Sequence, residues 1–473
     1  MTIRLYNTMS RKLEEFKPLL PNHVGFYSCG PTVYWDQHIG NMRSFVNSDI
    51  LKRMFIENGY DVKHVMNITD VGHLTSDEDS GEDKMEKGAA RENKSAWDIA
   101  KMYTDSFIRD ITSLNIIKPT FMPHATDYIP EQIEQIKKLE ELGYTYEIPG
   151  DGIYYDTSKF ADYGALGGQN LSELRGGLRV DDNGKKNPTD FALWKFSPTD
   201  KKRAMEWESP WGVGFPGWHI ECSAMSMKLL GPHFDIHVGG QEHIKVHHSD
   251  EIAQSEPIVG KPWVNYWVHY EWLLSKDGKM SKSSGDFLTV QDLIERGYDS
   301  MAFRYLLLLG HYHQPLDFSF EALDAATNGY KSIIRKVADL ITSKGSEHVN
   351  DAVYDEWHNK ILDTVSDNLK TAEALVYIQE LLKDNKVNAA TKLKLFEFID
   401  RLLGLQFVNR AQKLLDIESV EAPEEIKKLA EERVKAKAEK NWELADKIRL
   451  EIDSAGWNVV DTKDGPKIIK KMA

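Results

Sequence analysis

The chain has 473 residues, enough for roughly two to four domains, and its 41% hydrophobic and 28% charged residues are typical of an ordinary soluble globular protein. No run approaches the ~20 apolar residues of a membrane-spanning helix, and the start, MTIRLYNT, lacks a basic segment followed by an apolar core. We therefore expect a cytoplasmic protein with no membrane partner. The net charge of −15 argues against coating of nucleic acid by charge alone but allows a local basic groove.

The first elements of the chain predict a βαβ unit. Residues 24–29 and 61–67 are short apolar runs typical of strands. Between them, apolar residues recur with helical spacing from about Met42 to Glu57, and Asn58-Gly59 is a stop signal. A strand–helix–strand series of this kind indicates a parallel sheet in a Rossmann-like domain.

The next segments change in character. Residues 75–92 are charged and poor in apolar residues, so we expect an exposed loop. Helices are predicted near 96–113 and 130–142, and a stretch richer in glycine and short β-like runs follows them. We predict an insertion over residues 116–204 that divides the Rossmann-like domain, and the two parts of that domain are residues 1–115 and 205–317.

The remainder of the chain is predicted to be mainly helical. Apolar stripes at helical spacing indicate a bundle over residues 318–415. Residues 421–473 form a predicted small C-terminal unit with a charged helix and a β-like end. The predicted fold class is therefore α/β: a Rossmann-like parallel-sheet domain with an insertion, then an α-helical bundle and a small C-terminal domain.

A short motif, His38-Ile39-Gly40-Asn41, lies between the first predicted strand and the first predicted helix. Glycine lets the backbone approach a ligand closely, and a helix N-terminus offers N–H groups and partial positive charge to phosphate. A histidine there can donate a hydrogen bond to a phosphate oxygen. Four residues alone are weak grounds, because a loop histidine beside a turn glycine is the ordinary interpretation.

A second motif runs from Lys279 to Ser283 and contains Met280, Ser281 and Lys282. Its lysines can neutralise a triphosphate as charge moves to the leaving pyrophosphate. A solvated basic turn is the alternative for this motif alone. Together, however, the two motifs are the HIGH-like and KMSKS-like signatures of class I aminoacyl-tRNA synthetases, and the sequence contains no P-loop string.

The two cysteines of the chain are Cys29 and Cys222. By themselves they are compatible with two small buried apolar residues, since a disulfide is not expected in the cytosol. His247 and Glu251, at i and i+4, share one face of a predicted helix. Two thiolates, one imidazole and one carboxylate would make a tetrahedral zinc site.

These motifs belong to a longer resemblance. The chain resembles the cysteinyl-tRNA synthetase family over nearly its whole length, through LYNT, CGPTVYWDQHIGN, NITDV, PWGVGFPGWHIECSAM, HFDIHVGG, HHSDEIAQSE, KMSKSSGD, DNLKTAEAL and KNWELADKIRLEIDSAGWNVVDTKDG. The resemblance implies zinc ligands at Cys29, Cys222, His247 and Glu251. It also implies ATP-binding and catalytic roles for His38, Gly40 and Asn41 and for Lys279 to Ser283, with Lys282 bound to the nucleotide. Thr69 and Trp218 fall where this family lines its amino-acid pocket.

The chain departs from the family pattern in three places. Asn41 replaces the last histidine of HIGH, and it still donates a hydrogen bond. The segment after NITDV lacks the usual acidic D-D-K continuation, and the charged stretch that replaces it has no role that we can assign. The run QEHIKV at 241–246 is also unusual, but Glu242 offers a carboxylate for the substrate's ammonium group.

The resemblance implies an enzyme that activates cysteine with ATP and Mg²⁺ and transfers it to tRNA(Cys). Zinc would separate cysteine from serine, because small side-chain differences in an apolar pocket are worth only ~1–3 kcal/mol whereas zinc prefers a thiolate. We expect a monomer that binds one Zn²⁺. Its helical bundle is expected to bind tRNA, and its C-terminal unit is expected to recognise the anticodon. One alternative is a cysteine ligase with a small amino-sugar acceptor, which resembles only the catalytic half. The other is a catalytically inactive paralogue that serves as a binding module.

Overall fold

The structure is a computed structural model that describes residues 2–72, 83–168, 184–199, 202–275, 278–279, 287–462 and 465–470. Contacts divide the chain into two compact units. The first contains residues 1–327, 358–378 and 401–405, and the second contains residues 328–357, 379–400 and 406–473. Within the described ranges, no helix has the length and apolar character needed to cross a membrane.

The strands are β1 (Arg4–Asn7), β2 (Lys12–Glu15), β3 (His23–Ser28), β4 (Asp61–Met66), β5 (Thr145–Ile148), β6 (Gly152–Tyr155), β7 (Phe191–Phe196), β8 (Gly214–Pro216), β9 (Phe234–Gly240), β10 (Val264–Tyr270), β11 (Leu273–Ser275), β12 (Gly278–Lys279), β13 (Leu316–Asp317), β14 (Trp457–Thr462) and β15 (Gly465–Lys470).

The α-helices are α1 (Ile39–Glu57), α2 (Lys84–Glu92), α3 (Ala96–Ser113), α4 (Ile129–Glu141), α5 (Trp218–Leu230), α6 (His247–Val259), α7 (Val290–Glu295), α8 (Ser300–Leu308), α9 (Phe320–Ser343), α10 (Asp351–Ser366), α11 (Thr371–Lys383), α12 (Ala389–Leu403), α13 (Phe407–Glu418), α14 (Glu424–Ala438) and α15 (Trp442–Ser454).

The first unit is built around a four-stranded sheet in the order β10-β9-β3-β4, and its three strand pairs are all parallel. Parallel strands need a crossover connection, and α1 supplies it between β3 and β4. Both central strands are almost wholly buried, as strands of a parallel sheet covered by helices are. The predicted parallel sheet is confirmed. Its carboxyl edge is where α/β proteins place their ligands.

The first helix starts earlier than the apolar spacing predicts. It begins at Ile39 rather than at Met42, so Gly40 and Asn41 lie in its first turn. The cause is a cap: the ring Nδ1 of His38 accepts a hydrogen bond from the backbone N–H of Asn41 at 3.2 Å. The apolar pattern could not reveal this start, because it depends on a polar side chain that bonds the backbone.

The second part of the charged segment at 75–92 also differs from the prediction. Residues 84–92 form α2, with Met85 and Gly88 buried, whereas an exposed loop is expected from composition. Asp83 caps this helix by accepting from the backbone N–H groups of Met85 and Glu86. Residues 75–82 of the predicted loop lie outside the described residues.

A second sheet lies between the two halves of the parallel sheet in sequence. Strands β5, β6, β7 and β8 pair in that order, and every pair is antiparallel. The sheet follows α4 and precedes α5, so the chain leaves the parallel sheet after β4 and returns to it at β9.

The second unit contains mainly helices. Helices α14 and α15 and the β14-β15 hairpin share a small apolar core formed by Ile426, Ala430, Ile448, Ile452, Trp457 and Val459. Trp457 is therefore a core residue, whereas Trp442 is 59% exposed. Lys467 of the C-terminal basic run has its Nζ 3.7 Å from a carboxylate oxygen of Glu418, and Lys471 lies outside the described residues.

Candidate functional site

A cavity of about 280 Å³ opens at the carboxyl ends of β3, β4 and β9. The three predicted residues of the amino-acid pocket, Thr69, Trp218 and Glu242, all line it. Three of the four predicted metal ligands line it as well, namely Cys29, Cys222 and His247. Asn41 of the first motif lines it as well. The cavity therefore joins the predicted metal ligands to the start of α1.

The structure brings the four predicted metal ligands together. Cys29 directly follows β3, Cys222 lies in α5, and His247 and Glu251 lie one turn apart on α6. One donor atom from each of the four residues lies within 4.8 Å of the other three. Tetrahedral ligands of zinc are about 3.3–3.8 Å apart, as follows from metal–ligand distances of about 2.0–2.3 Å. The arrangement is therefore close to that of a four-ligand metal site.

His247 is held in the tautomer that a metal ligand requires. The Nδ1 atoms of His247 and His219 are 2.9 Å apart, and Nε2 of His219 lies 3.3 Å from a carboxylate oxygen of Asp250. A carboxylate only accepts, so the proton of His219 is on Nε2 and its Nδ1 accepts from Nδ1–H of His247. In the neutral form that binds a metal, the lone pair on Nε2 of His247 then faces the other three ligands.

Cys29 is oriented in the same way by a second chain of polar groups. Its Sγ lies 3.2 Å from Nε2 of His248, whose Nδ1 lies 2.8 Å from Nε2 of His269. The remaining ring nitrogen of His269 lies 2.7 Å from the hydroxyl of Thr8. Burial lowers the pKa of His248 and of His269 well below the usual value, so both rings are neutral and each donates one proton.

Glu251 has one satisfied oxygen and one unsatisfied oxygen. Its Oε2 lies 2.9 Å from Nε2 of His237. Its Oε1 is fully buried and has no hydrogen-bond partner, although Nε2 of His247 is only 3.0 Å away. A buried carboxylate oxygen beside an unprotonated ring nitrogen is costly. Either a proton on Nε2 of His247 or a cation bound by both atoms removes that cost.

The charges of the group are also compatible with a bound cation. Burial raises the pKa of the Cys29 thiol well above its usual range, and Cys222 and Glu251 add to this effect. Burial lowers the pKa of His247, but Glu251 and Cys222 outweigh burial and raise it to about 10. Burial raises the pKa of Glu251, but His237 and His247 lower it to about 2. Without a metal, protons would have to neutralise the buried anions, and a divalent cation replaces those protons.

A second set of donors shares part of this centre. Cys29 and Glu251 also lie within 4.8 Å of ring nitrogens of His237 and His248. These two histidines already bond the carboxylate and the thiol, so they orient the ligands, as outer residues of metal sites usually do. No motif in the sequence predicted a role for His219, His237 or His248. The available signal was that each belongs to a matched family segment.

The three predicted pocket residues take different positions around this centre. Thr69 is buried, and its hydroxyl accepts from Asn67 and donates to Glu221 at 3.0 Å. The ring of Trp218 stacks on His247, with centroids 4.4 Å apart. A carboxylate oxygen of Glu242 accepts from the indole N–H of Trp272 at 2.6 Å, so this anion is fixed at the cavity rim.

The HIGN motif forms the positive end of α1. Gly40 is required by close packing, because a Cβ there would lie 2.8 Å from the ring of His38. The side chain of Asn41 donates to Gln37 at 2.7 Å. No acidic residue of α1 itself lies in its first turn to offset the partial positive charge of the helix N-terminus. The turn is suited to an anion such as phosphate.

Only the beginning of the KMSKS motif can be placed. Lys279 ends β12, which pairs with β11, and Met280, Ser281, Lys282 and Ser283 lie outside the described residues. The spatial relation of these four residues to the cavity therefore stays a prediction.

Arg43 connects α1 to the chain that leads to this motif. Its buried guanidinium donates to the carbonyls of Glu271 and Trp272, which immediately precede β11. It also donates to the carbonyls of His311 and Gln314. One side chain thus ties the helix that carries HIGN to the strand that leads into KMSKS.

A parallel sheet with HIGN at the first strand–helix turn, and KMSKS after a later strand, defines a class I aminoacyl-tRNA synthetase. The family model described as tRNA synthetases class I (C) catalytic domain matches residues 15–328. Among solved structures, a Mycobacterium tuberculosis methionyl-tRNA synthetase with methionyl-adenylate superposes with a TM-score of 0.55 at 14% identity, covering 85% of this chain and 94% of that one. The LeuRS of Agrobacterium radiobacter, in a complex with tRNA and LeuAMS, gives a TM-score of 0.58 at 12% identity and covers 86% of each chain. At these identities the likeness concerns the fold alone.

Curated relatives are more specific. The chain is 47% identical to cysteine–tRNA ligase 1 of Burkholderia lata, with 99% of this chain and 97% of that protein covered. It is 44% identical to the cysteine–tRNA ligase of Treponema denticola, with both chains covered completely. The chain therefore belongs to the cysteine–tRNA ligase family of class I synthetases. These matches extend through the region after Asp317, and they give no support to a ligase with a small acceptor.

Proposed function

We propose that the protein activates cysteine with ATP to form cysteinyl-adenylate and transfers the cysteinyl group to tRNA(Cys). The observation that carries the proposal is the group formed by Cys29, Cys222, His247 and Glu251 in a cavity that also reaches the start of α1. A thiol-selective site is thus close to a phosphate-binding helix end. Family membership provides independent support.

The proposed metal is one Zn²⁺ per chain. Two thiolates, one imidazole and one carboxylate are a donor set that zinc accepts, and the unpaired oxygen of Glu251 fits such a cation. When bound, zinc supplies a soft Lewis acid that favours a substrate thiolate over an alcohol. The chain's own contribution is orientation, since His219, His248 and His237 each hold one ligand in place.

The chemical step needs positioning and charge stabilisation more than a general base. The carboxylate of cysteine attacks the α-phosphate of ATP, whose phosphates carry Mg²⁺, and pyrophosphate leaves. We assign the N-terminus of α1, with His38, Gly40 and Asn41, to phosphate binding. We assign Lys279 and Lys282, with Met280, Ser281 and Ser283, to the nucleotide and the departing pyrophosphate. Thr69, Trp218 and Glu242 are assigned to the amino acid, with Glu242 facing its ammonium group.

The domains proposed for these tasks follow the predicted division. Residues 1–115 and 205–317 form the catalytic domain, and residues 116–204 form the insertion. The bundle over residues 318–415 binds tRNA, and residues 421–473 recognise the anticodon through single-stranded bases. The protein is proposed to work in the cytoplasm as a monomer.

The test is cysteine-dependent exchange between ATP and pyrophosphate, followed by charging of total tRNA. We expect exchange with cysteine and not with serine, and charging of tRNA(Cys) alone. Exchange without charging of any tRNA would contradict the proposed acceptor. Absence of exchange in zinc-loaded protein would contradict the proposed activity.

A further inference from the structure

The cavity contains a basic side chain that has no role in the assignments above. Lys84, the first residue of α2, lines the cavity together with Thr69 and Trp218. Its Nζ lies over the Trp218 ring, 5.7 Å from the ring centroid. Among the described residues that line the cavity, it is the only lysine or arginine. A single cation in this position is therefore in reach of whatever occupies the amino-acid pocket.

The N-terminal end of α2 is fixed by Arg203. Its guanidinium donates to the carbonyl of Gly72 at 2.7 Å and pairs with the carboxylate of Asp83, the residue that caps α2. The guanidinium also stacks on the ring of Phe215, 3.4 Å from its centroid. The side chain of Asp83 approaches Gly72 so closely that a Cβ there would lie 2.3 Å from a carboxylate oxygen. Arg203 therefore clamps Gly72 and Asp83 together, and Lys84 directly follows this clamp.

The rest of α2 is fixed to the loop that precedes HIGN. The guanidinium of Arg91 lies 3.5 Å from the ring centroid of Trp35 and donates to the carbonyl of Tyr34 at 3.1 Å. Gly88 allows this approach, because a Cβ there would lie 3.2 Å from the same carbonyl. Met85, next to Lys84, is 1% exposed. Anchors on both sides of Lys84 thus hold its backbone on the cavity wall.

A bound amino acid presents three groups to this cavity. The side-chain thiol belongs at the metal-binding group, and the ammonium group has an anion available in Glu242. The carboxylate carries a full negative charge and needs donors of opposite charge when it leaves water. Lys84 supplies that charge on the wall that also contains Thr69 and Trp218.

We propose that Lys84 binds the carboxylate of the amino-acid substrate, and so makes the site select thiols that carry a free α-carboxylate. The inference rests on the proposed function. Lys84 holds the carboxylate by a charge-assisted hydrogen bond while the thiol is held at the metal-binding group. Two fixed points on one small molecule determine the direction in which its carboxylate oxygen faces the α-phosphate.

The test compares two ligands that differ only in the carboxylate. Cysteine and cysteamine share the thiol and the ammonium group, and calorimetry measures their binding to the zinc-loaded full-length protein without ATP. In Lys84→Met we expect cysteine affinity to fall about 10- to 100-fold, the range for loss of one charge-assisted hydrogen bond. Cysteamine affinity should stay within about threefold, because that ligand has no carboxylate for the charge-assisted bond. Lys84→Arg should retain most of the cysteine affinity. Lys87 is an exposed residue of the same helix, so Lys87→Met is the matched control. This variant should not change the affinity for either ligand.

Three results would overturn the assignment. The first is an equal loss of affinity for cysteine and cysteamine in Lys84→Met, and the second is an unchanged affinity for cysteine. The third is a fall in kcat for exchange with an unchanged KM for cysteine, which would mean that Lys84 binds the phosphates instead. Failure of the unaltered protein to bind cysteine is distinguishable from all three, and it would overturn the proposed function together with this inference.

Discussion

Asp250→Asn is a perturbation that tests how the metal centre is oriented. Asp250 accepts from the hydroxyl of Tyr163 at 2.5 Å with one oxygen, and its other oxygen lies 3.3 Å from Nε2 of His219. The short bond from Tyr163 keeps the amide oxygen of Asn on its own side, so the NH₂ group faces His219. His219 must then carry its proton on Nδ1. That proton faces His247 and drives the proton of His247 to Nε2, where the metal should bind.

The magnitude follows from one buried hydrogen bond. There are two possible outcomes. If the metal displaces the proton from Nε2 of His247, the hydrogen bond between His219 and His247 is lost. If the proton remains, His247 no longer binds the metal. A buried hydrogen bond of this kind is worth about 1–3 kcal/mol, which corresponds to roughly 5- to 150-fold in affinity. Loss of a group that orients a metal ligand typically costs about 10- to 100-fold, which lies within that range. We expect this loss of zinc affinity in competition with a chelator of known zinc affinity.

Two further variants make the test specific. Tyr163→Phe alone leaves the carboxylate of Asp250 in place as the acceptor for His219. Zinc affinity should therefore stay within about threefold of the unaltered protein, a smaller change than the loss of a hydrogen bond to a metal ligand causes. In the double variant, Asp250→Asn with Tyr163→Phe, the amide of the new asparagine can turn its oxygen towards His219. The zinc affinity should then recover. Unchanged zinc affinity in Asp250→Asn, or an equal loss in Tyr163→Phe, would refute the tautomer argument.

Three other predictions concern the metal, the nucleotide and the tRNA. Metal analysis should find near one zinc per chain, and full occupancy in Cys222→Ser would contradict the ligand assignment. Lys282→Ala should lower pyrophosphate exchange by roughly 10²–10³ with little change in cysteine binding, because a donor to developing charge acts mainly in the transition state; a change within about twofold would contradict the assignment. Changes at Trp442 and Lys467 should weaken tRNA charging while exchange persists, and the defect at Lys467 should shrink as salt rises, because a lost phosphate contact lowers the salt dependence; equal loss of both activities would contradict a role limited to tRNA.

Much of the candidate site could be predicted because its signals are local. Cys29 follows an apolar strand directly, and His247 and Glu251 are one helical turn apart, so short stretches of sequence contain most of the geometry. The parallel sheet followed from two apolar runs around a helical pattern. Side-chain periodicity is a property of neighbouring residues, and it is visible without knowledge of the rest of the chain.

The tertiary structure decided the features that depend on residues distant in sequence. Packing of α5, α6 and β9 brings His219 and His237 to the metal-binding group, and no local pattern indicates which histidine orients which ligand. The Arg203 clamp holds the start of α2, so that Lys84 lines the cavity, whereas the composition of residues 75–92 predicted an exposed loop. These hydrogen bonds join groups that are 14, 28 and 131 residues apart in sequence, and burial makes an unpaired polar atom at such places costly. The sequence by itself thus determined the elements and the donor types, whereas the fold determined which of them act on one another.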